Sequence, residues 1–458
     1  MPDTLKPLLL FKLDDNPPAI GSALVGFQHL LAIIGGILTA PYLIALGMGL
    51  NAEDTSYVIS AALIVSGLGT LLQINRLSAL GAGLLSIQGT SFAFIGSLIF
   101  VHLQLVQELE ARQALGVIFG SSAVCALIMG VLSMFVRQLK DVITTNVAGA
   151  TIILIGLTLI QSTLQNLERA YLDAGGVEGD GALRLGLAAL VFTVIVIIAN
   201  VKHVWLRLSA ITLGLLVGVL ASMSMGLADF SGVSSAGWVF VPEPWRYPLS
   251  VDLAVVALIM PIFLVSAMES IGDITATNNL SGLETGTFDY WLRIRGGILA
   301  TAVNSLVASV LCTFPSTTFS QNNGVIRLTG VCSRHVGNYV AVFLVILGCL
   351  PVVTAFFQAI PSEVIFGATL LMFVLVALSG FRVVEMSAPI TRDWVVVSLA
   401  ILLGYLLSFY VDQVPGLPSE VVMVLEFPVS TGAMLAIVLE FVVPGRVRSQ
   451  VDEPGASD

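Results

Sequence analysis

The stretch Phe314-Pro315-Ser316-Thr317-Thr318-Phe319-Ser320-Gln321-Asn322-Asn323-Gly324-Val325-Ile326-Arg327-Leu328-Thr329-Gly330 decides how this chain is read. It sets a proline, small hydroxyl residues, three adjacent carboxamides and a glycine inside a very apolar protein. A lipid-facing helix cannot hold that composition. Backbone that is not helical at membrane depth survives only where protein buries it or where it lines a wet cavity. An interrupted span is therefore the place to expect a binding site.

The surroundings fit a bilayer. Of the 458 residues, 57% are hydrophobic and only 10% charged, against roughly 25% charged in a soluble domain. The mean hydropathy is +0.98. Spans of about 20 apolar residues can be placed about 14 times, which leaves no room for a sizeable soluble domain. The net charge of −10 offers no basic patch for nucleic acid. Cys125, Cys312, Cys332 and Cys349 stand apart in apolar runs, so packing is a better reading than disulfides or a metal. The first run continues past Pro41 without a small-residue cleavage pattern, and reads as a retained helix.

The first runs cover about Ile20 to Leu46, Tyr57 to Ile74 and Leu80 to Leu105, the third interrupted by Gln88-Gly89-Thr90-Ser91. Four more lie near Ala114 to Val136, Val142 to Leu164, Ala182 to Val201 and Leu208 to Leu227. The second half begins with Val251 to Ile274 and Gly296 to Cys312, then the short piece after Gly324. It ends with runs near Val340 to Val353, Val364 to Ala377, Trp394 to Val411 and Pro428 to Val443. With a cytoplasmic N-terminus, only Arg112, Arg169, Arg184 and Arg246 of the 19 basic residues fall outside. That asymmetry supports an even number of spans with both termini cytoplasmic. Seven runs precede the midpoint and seven follow, and the third of each seven carries a polar break. An odd number inverts the second half, the mark of an inverted repeat whose two broken segments meet at the site.

Candidate chemistry gathers at these breaks. Glu269 and Asp273, four residues apart, share one helix face, and a carboxylate at membrane depth is costly enough to suggest function. The competing reading leaves the pair solvated at a helix end. Gln321 offers a donor and an acceptor side by side, the complement of a heterocyclic lactam edge, while Glu269 takes a second ring N–H. Asn322 and Asn323 are better read as ties for broken helix ends, which leave backbone groups unpaired. Ser91 and Phe92 are placed to meet the same ligand. His29 is either a satisfied structural histidine or a partner orienting the Glu269 helix or the broken third segment. Nothing resembles a phosphate-cradling loop, a zinc-protease pattern or a nucleophile elbow, so neither an ATP-driven pump nor a membrane-embedded enzyme is expected.

Gln321-Asn322-Asn323-Gly324-Val325-Ile326-Arg327-Leu328-Thr329-Gly330 resembles the signature of the nucleobase–ascorbate transporter family. Gln88-Gly89-Thr90-Ser91-Phe92, Glu269-Ser270-Ile271-Gly272-Asp273 and Gln28-His29 are similar to its other motifs, in the same order, and the bacterial xanthine permeases are nearest. The resemblance implies an all-α polytopic membrane fold of 14 segments in a 7+7 inverted repeat, with segments 3 and 10 discontinuous, short strands plus half-helices. It implies a core domain (1–140 and 250–360), a gate domain (141–230 and 361–445) and a cytoplasmic tail (446–458). It also implies a homodimer in the cytoplasmic (inner) membrane and elevator-type proton symport of a purine, xanthine or uric acid, without cofactor or metal. Glu269 and Gln321 match the main substrate-binding side chains; Phe92 and Ser320 match backbone contacts, with Ser91 and Phe319 beside them. His29, Asp273, Gln88, Asn322 and Thr301 match the polar coupling network. Uracil-selective members have Glu in place of Gln321. Many purine members have Asp in place of Thr301, some xanthine-selective members have Asn in place of Ser91, and a neutral residue is commoner than Arg327. A uracil carrier, and an anion carrier with helix N-termini facing a small anion, are the alternatives; the carboxylate of Glu269 opposes the second.

Overall fold

The structure is a computed structural model; it describes residues 9–136, 144–203, 206–207, 209–233, 237–385 and 389–444. Lys6, Arg137, Lys140, Arg446, Arg448 and the tail 446–458, used above for orientation and domain limits, lie outside the described residues. Two short strands form at the interrupted runs. β1 (Gln88–Thr90) pairs antiparallel with β2 (Ser316–Thr318), in the register Gln88↔Thr318, Gly89↔Thr317 and Thr90↔Ser316. Three residues per strand cannot hold a ribbon in isolation. Neighbouring groups occupy its free edges: Thr70 Oγ1 accepts from the Gln88 amide at 3.0 Å, and Ser305 Oγ accepts from the Ser316 amide at 3.1 Å. The Phe319 amide donates to the Ile87 carbonyl at 2.8 Å and the Ser91 amide to that of Pro315 at 3.1 Å. The polar backbone that lipid would strand is thus paired inside protein.

A half-helix follows each strand: α3 (Ile95–Leu105) after a 3-10 turn at Phe92–Phe94, and α10 (Gln321–Thr329). The other helices are α1 (Ala19–Gly47), α2 (Ala52–Asn75), α4 (Ala111–Leu132), α5 (Thr145–Asp173), α6 (Gly181–Ala199), α7 (Ala210–Ser224), α8 (Leu253–Leu280) and α9 (Phe288–Val310). They continue with α11 (Arg334–Gly348), α12 (Pro351–Gln358), α13 (Ser362–Glu385), α14 (Thr391–Tyr410), α15 (Ser419–Glu426) and α16 (Pro428–Val442). Among the described residues, eight helices are long and apolar enough to cross a bilayer. The protein is a multi-pass membrane protein.

Four boundaries differ from the sequence reading, each for a local reason. The run from Leu80 is not helical before β1: Gly81 and Gly83 take φ of +99° and +67°, and their amides bond to the carbonyls of Gly296 and Gln73 at 2.8 and 2.9 Å. α8 runs six residues past Ile274, to Leu280, so Glu269 and Asp273 lie within it rather than at its end. α10 begins at Gln321 rather than after Gly324. The run 340–353 bends by 73° between α11 and α12, because Pro351 opens the second helix.

The helices sort into two groups by packing. α1, α2, α4, α8, α9 and α11 pack mainly on one another and hold the ribbon, while α5, α6, α7, α13, α14 and α16 form the second group. Small residues let backbones approach in the second group: a Cβ on Gly156 of α5 would lie 2.5 Å from the Ala377 amide nitrogen of α13, and one on Gly404 of α14 2.9 Å from the Gly432 Cα of α16. At one end of that group Arg392 is buried against Glu440, 3.0 Å away, and Asn146 bridges Asp393 and Glu440 at 2.8 and 3.1 Å.

The N-terminal strap 9–15 docks on the loop behind α10. The Leu10 amide donates to the Gly330 carbonyl at 2.8 Å and the Cys332 amide to that of Phe11 at 2.9 Å. Ser333 Oγ donates to the Asp15 carbonyl at 2.7 Å, and Asp14 pairs with Arg334. Gly156→Val should separate α5 from α13 and destabilise the fold by roughly 1–3 kcal/mol, the usual cost of overpacking. A lower midpoint in thermal unfolding of the detergent-solubilised protein would register it, with Gly21→Val, whose Cβ meets nothing within 4 Å, as the control.

Candidate functional site

The ribbon brings together most of the residues singled out in the sequence, and hydrogen bonding divides them into two classes. The first class is engaged by the scaffold. Asp273, 6% exposed, accepts from Asn323 Nδ2 at 2.5 Å and from Ser86 Oγ at 3.2 Å. Asn323 Oδ1 accepts in turn from Thr277 Oγ1 at 2.7 Å. Asp273 and Thr277 are four apart on α8, so one helix face grips the first turn of α10. Asn322 Nδ2 donates to the Leu85 carbonyl at 2.7 Å, which leaves Asn322 Oδ1 as the acceptor facing His29 Nδ1 at 2.7 Å. His29 Nδ1 is therefore the donor, and Nε2 is buried without a partner.

Behind the ribbon, Gln88 Nε2 donates to Thr301 Oγ1 at 2.9 Å, and Thr301 Oγ1 donates to the Gly297 carbonyl at 3.1 Å. Gln88 and Thr301 are fully buried, so they fasten β1 to α9. Ser91, expected beside a ligand, is 1% exposed, and its hydroxyl accepts from the Ala93 amide at 3.2 Å, capping the 3-10 turn. Its structural work is to fix the backbone that presents Phe92.

The second class is unpaired. Among the described residues, Glu269, Ser320 and Gln321 make no side-chain hydrogen bond or ion pair. Glu269 is half-buried, and Ser320 and Gln321 are exposed. Glu269 precedes Ser270, whose hydroxyl lies 3.4 Å from that of Thr317 in β2, so this turn of α8 packs on the ribbon. Ser320 and Gln321 stand at the N-terminus of α10, where unpaired amides and the positive end of the helix dipole face outward.

Aromatic rings wall this region. Phe92 and Phe319 have centroids 6.1 Å apart with planes inclined at 43°, and Phe373 of α13 meets Phe92 edge-on at 6.3 Å. The Phe319 ring lies over Gly89, where a Cβ would come within 2.6 Å of it. Sequence reasoning did not single out Ser86, Thr277 or Phe373. Thr277 continues the i, i+4 pattern from Asp273 and was readable on that rule; Ser86 and Phe373 carry no local signal. Near the ribbon the chain thus carries an unpaired carboxylate, an unpaired carboxamide and a group of tilted and edge-on rings.

Residues 21–413 match the model of a permease family, Xan_ur_permease. The xanthine permease XanQ of Escherichia coli (strain K12) is 35% identical over 449 residues, 98% of this chain and 96% of the relative. The xanthine permease XanP of the same organism is 33% identical over 438 residues, 95% of each chain. Among solved structures, the transmembrane domain of a cyanobacterial bicarbonate transporter, BicA, superposes with a TM-score of 0.58 at 12% identity, over 94% of this chain and 99% of that one. That last likeness is one of fold alone.

Asn323→Ala would remove a donor from the buried Asp273 carboxylate, at a cost of roughly 1–3 kcal/mol, while the Thr277 hydroxyl keeps the Asp273 carbonyl as its acceptor. Its thermal midpoint in detergent should fall, and fall further in Asn323→Asp, which sets two carboxylates face to face.

Proposed function

Because the chain belongs to the nucleobase–ascorbate transporter family of permeases, we propose that it is a proton-coupled symporter importing a purine nucleobase, xanthine or uric acid, across the cytoplasmic membrane. Its relatives are permeases and not enzymes. One observation carries the assignment of the site: Asp273, Asn322 and Asn323 are taken up in holding α10, while Glu269 and Gln321 are left unpaired beside the same ribbon. A purine dione presents a lactam N–H and C=O side by side, which the Gln321 carboxamide complements. The Glu269 carboxylate accepts a second ring N–H, a charge-assisted bond stronger than a neutral one. Phe92 and Phe319 supply ring faces, and the Ser320 and Phe92 amides lie within the same lining. A small inorganic anion has no ring N–H to offer Glu269 and would be repelled by it, which favours a purine heterocycle over an anion cargo.

Movement follows from the two packing groups. In this reading the group holding the ribbon is the core, residues 1–140 and 250–360, and the second group is the gate, residues 141–230 and 361–445. The 14 segments then form a 7+7 inverted repeat with both termini cytoplasmic. The core slides against the gate as an elevator, in a homodimer. Asp273, one turn from Glu269 on α8, takes part in the proton or conformational coupling.

Uptake of labelled xanthine into cells expressing the protein should require an inward proton gradient, and full uptake in the presence of a protonophore would refute the coupling. Glu269→Gln should lower uptake about tenfold to a hundredfold, the worth of a hydrogen bond to a charged group, at an unchanged level of protein in the membrane. Gln321→Glu should weaken competition by purines and strengthen that by uracil; an identical profile would count against the lactam-edge pairing.

A further inference from the structure

Next to the Phe92–Phe373 contact lies a second polar feature that the site does not use. A narrow cavity of about 50 Å³ runs between the C-terminal end of α1, the first turns of α3, the stretch 159–166 of α5 and the N-terminal half of α13. Phe373, which meets Phe92 edge-on, and Ile95, three residues beyond Phe92, form part of its lining. The space holds a few waters at most, far less than the several hundred Å³ of a ligand pocket. Gly47 of α1 is closed against Ile99 of α3, where a Cβ would lie 2.3 Å from the isoleucine side chain.

The lining is apolar apart from one face of α5, where Ser162, Thr163 and Asn166 reach the cavity. Thr163 donates to the Leu159 carbonyl at 2.8 Å and is satisfied. Ser162 and Asn166, one turn apart, are half-buried and have no hydrogen-bond or ion-pair partner among the described residues. Gln161 and Gln165 of the same helix are exposed, so a merely solvated helix end accounts for those two and not for the pair turned inward.

We propose that this cavity is the closed passage between the site and the side of the membrane where α1 ends, and that Asn166 and Ser162 are specificity-determining residues that contact the heterocycle as it passes. The proposal rests on the nucleobase reading above. A planar heterocycle entering an apolar constriction gives up water from its polar edge, which is costly unless a partner replaces it. The Asn166 amide replaces it for a lactam edge, and the Ser162 hydroxyl adds one flexible donor or acceptor. Molecules lacking the edge leave the amide unpaired, so they are disfavoured here before they reach Gln321.

Uptake of labelled xanthine, with hypoxanthine, guanine and uracil as competitors, tests this in Asn166→Leu and Ser162→Val. Both should raise KM and flatten the competition profile by about threefold to tenfold, the worth of one neutral hydrogen bond, at unchanged protein in the membrane. Asn166→Gln, which keeps the amide, should recover most of the loss. In a variant with Cys125, Cys312, Cys332 and Cys349 replaced by Ser, Asn166→Cys should react with a maleimide more slowly when xanthine is present. Wild-type uptake with an unchanged KM and profile in both variants, or labelling indifferent to saturating xanthine, overturns the passage alone. Absence of both xanthine and uric acid uptake by the wild type overturns the purine reading and the passage with it.

Discussion

The pairing of β1 with β2 is the constraint on which the rest depends. Extended backbone in the middle of a bilayer protein has no water to turn to, and every amide and carbonyl left alone there is costly. Two three-residue strands satisfy part of the requirement by bonding to each other. The hydroxyls of Thr70 and Ser305 meet the edges. Much of what is polar in this interior exists for that reason. Once the ribbon is fixed, the helices leaving it are fixed as well, and their N-termini are held at the middle of the protein.

This explains why neighbouring side chains of similar chemistry do different work. Gln321, Asn322 and Asn323 are consecutive carboxamides, yet the second and third are tied to Leu85, His29, Asp273 and Thr277, while the first faces open space. Glu269 and Asp273 are both carboxylates one turn apart, and again only one is engaged by the scaffold. A binding site inside apolar protein requires that contrast. Groups that build the frame must be satisfied without ligand, and groups that bind must not.

Much of this was legible in the sequence because the bilayer imposes simple rules. Long apolar runs announced α1 to within a residue at each end and the starts of α5 and α13 to within three, though both helices run on eight or nine residues further than expected, and the polar breaks at Gln88 and Ser316 announced the two strands. The assignment of Asn322 and Asn323 as helix ties followed from their place beside a broken helix. What could not be read was three-dimensional partnership. Leu80, Leu84 and Leu85 look like the start of a span, but their backbone is irregular and buried, because Gly81 and Gly83 take left-handed conformations and α2 and α9 offer carbonyls to them. Ser91 was read as a ligand contact; its hydroxyl also caps a turn whose existence no pattern revealed. Phe373 belongs to an unremarkable apolar run, and only the packing of α13 against the ribbon gives it a place beside Phe92.

The N-terminal strap bears on the order in which the molecule can be assembled. Asp14 and Arg334 are separated by 320 positions, and β1 and β2 by more than two hundred. A ribosome releases the strap and the first strand long before their partners exist, and contacts so remote in sequence form late and slowly. Until residue 334 emerges, the interior around β1 holds unpaired backbone and several buried amides within lipid. The nascent first half must therefore be sheltered, by the insertion machinery or by loose packing of its own helices, and the arrival of a short docked segment at the chain's beginning marks the moment at which that shelter becomes unnecessary.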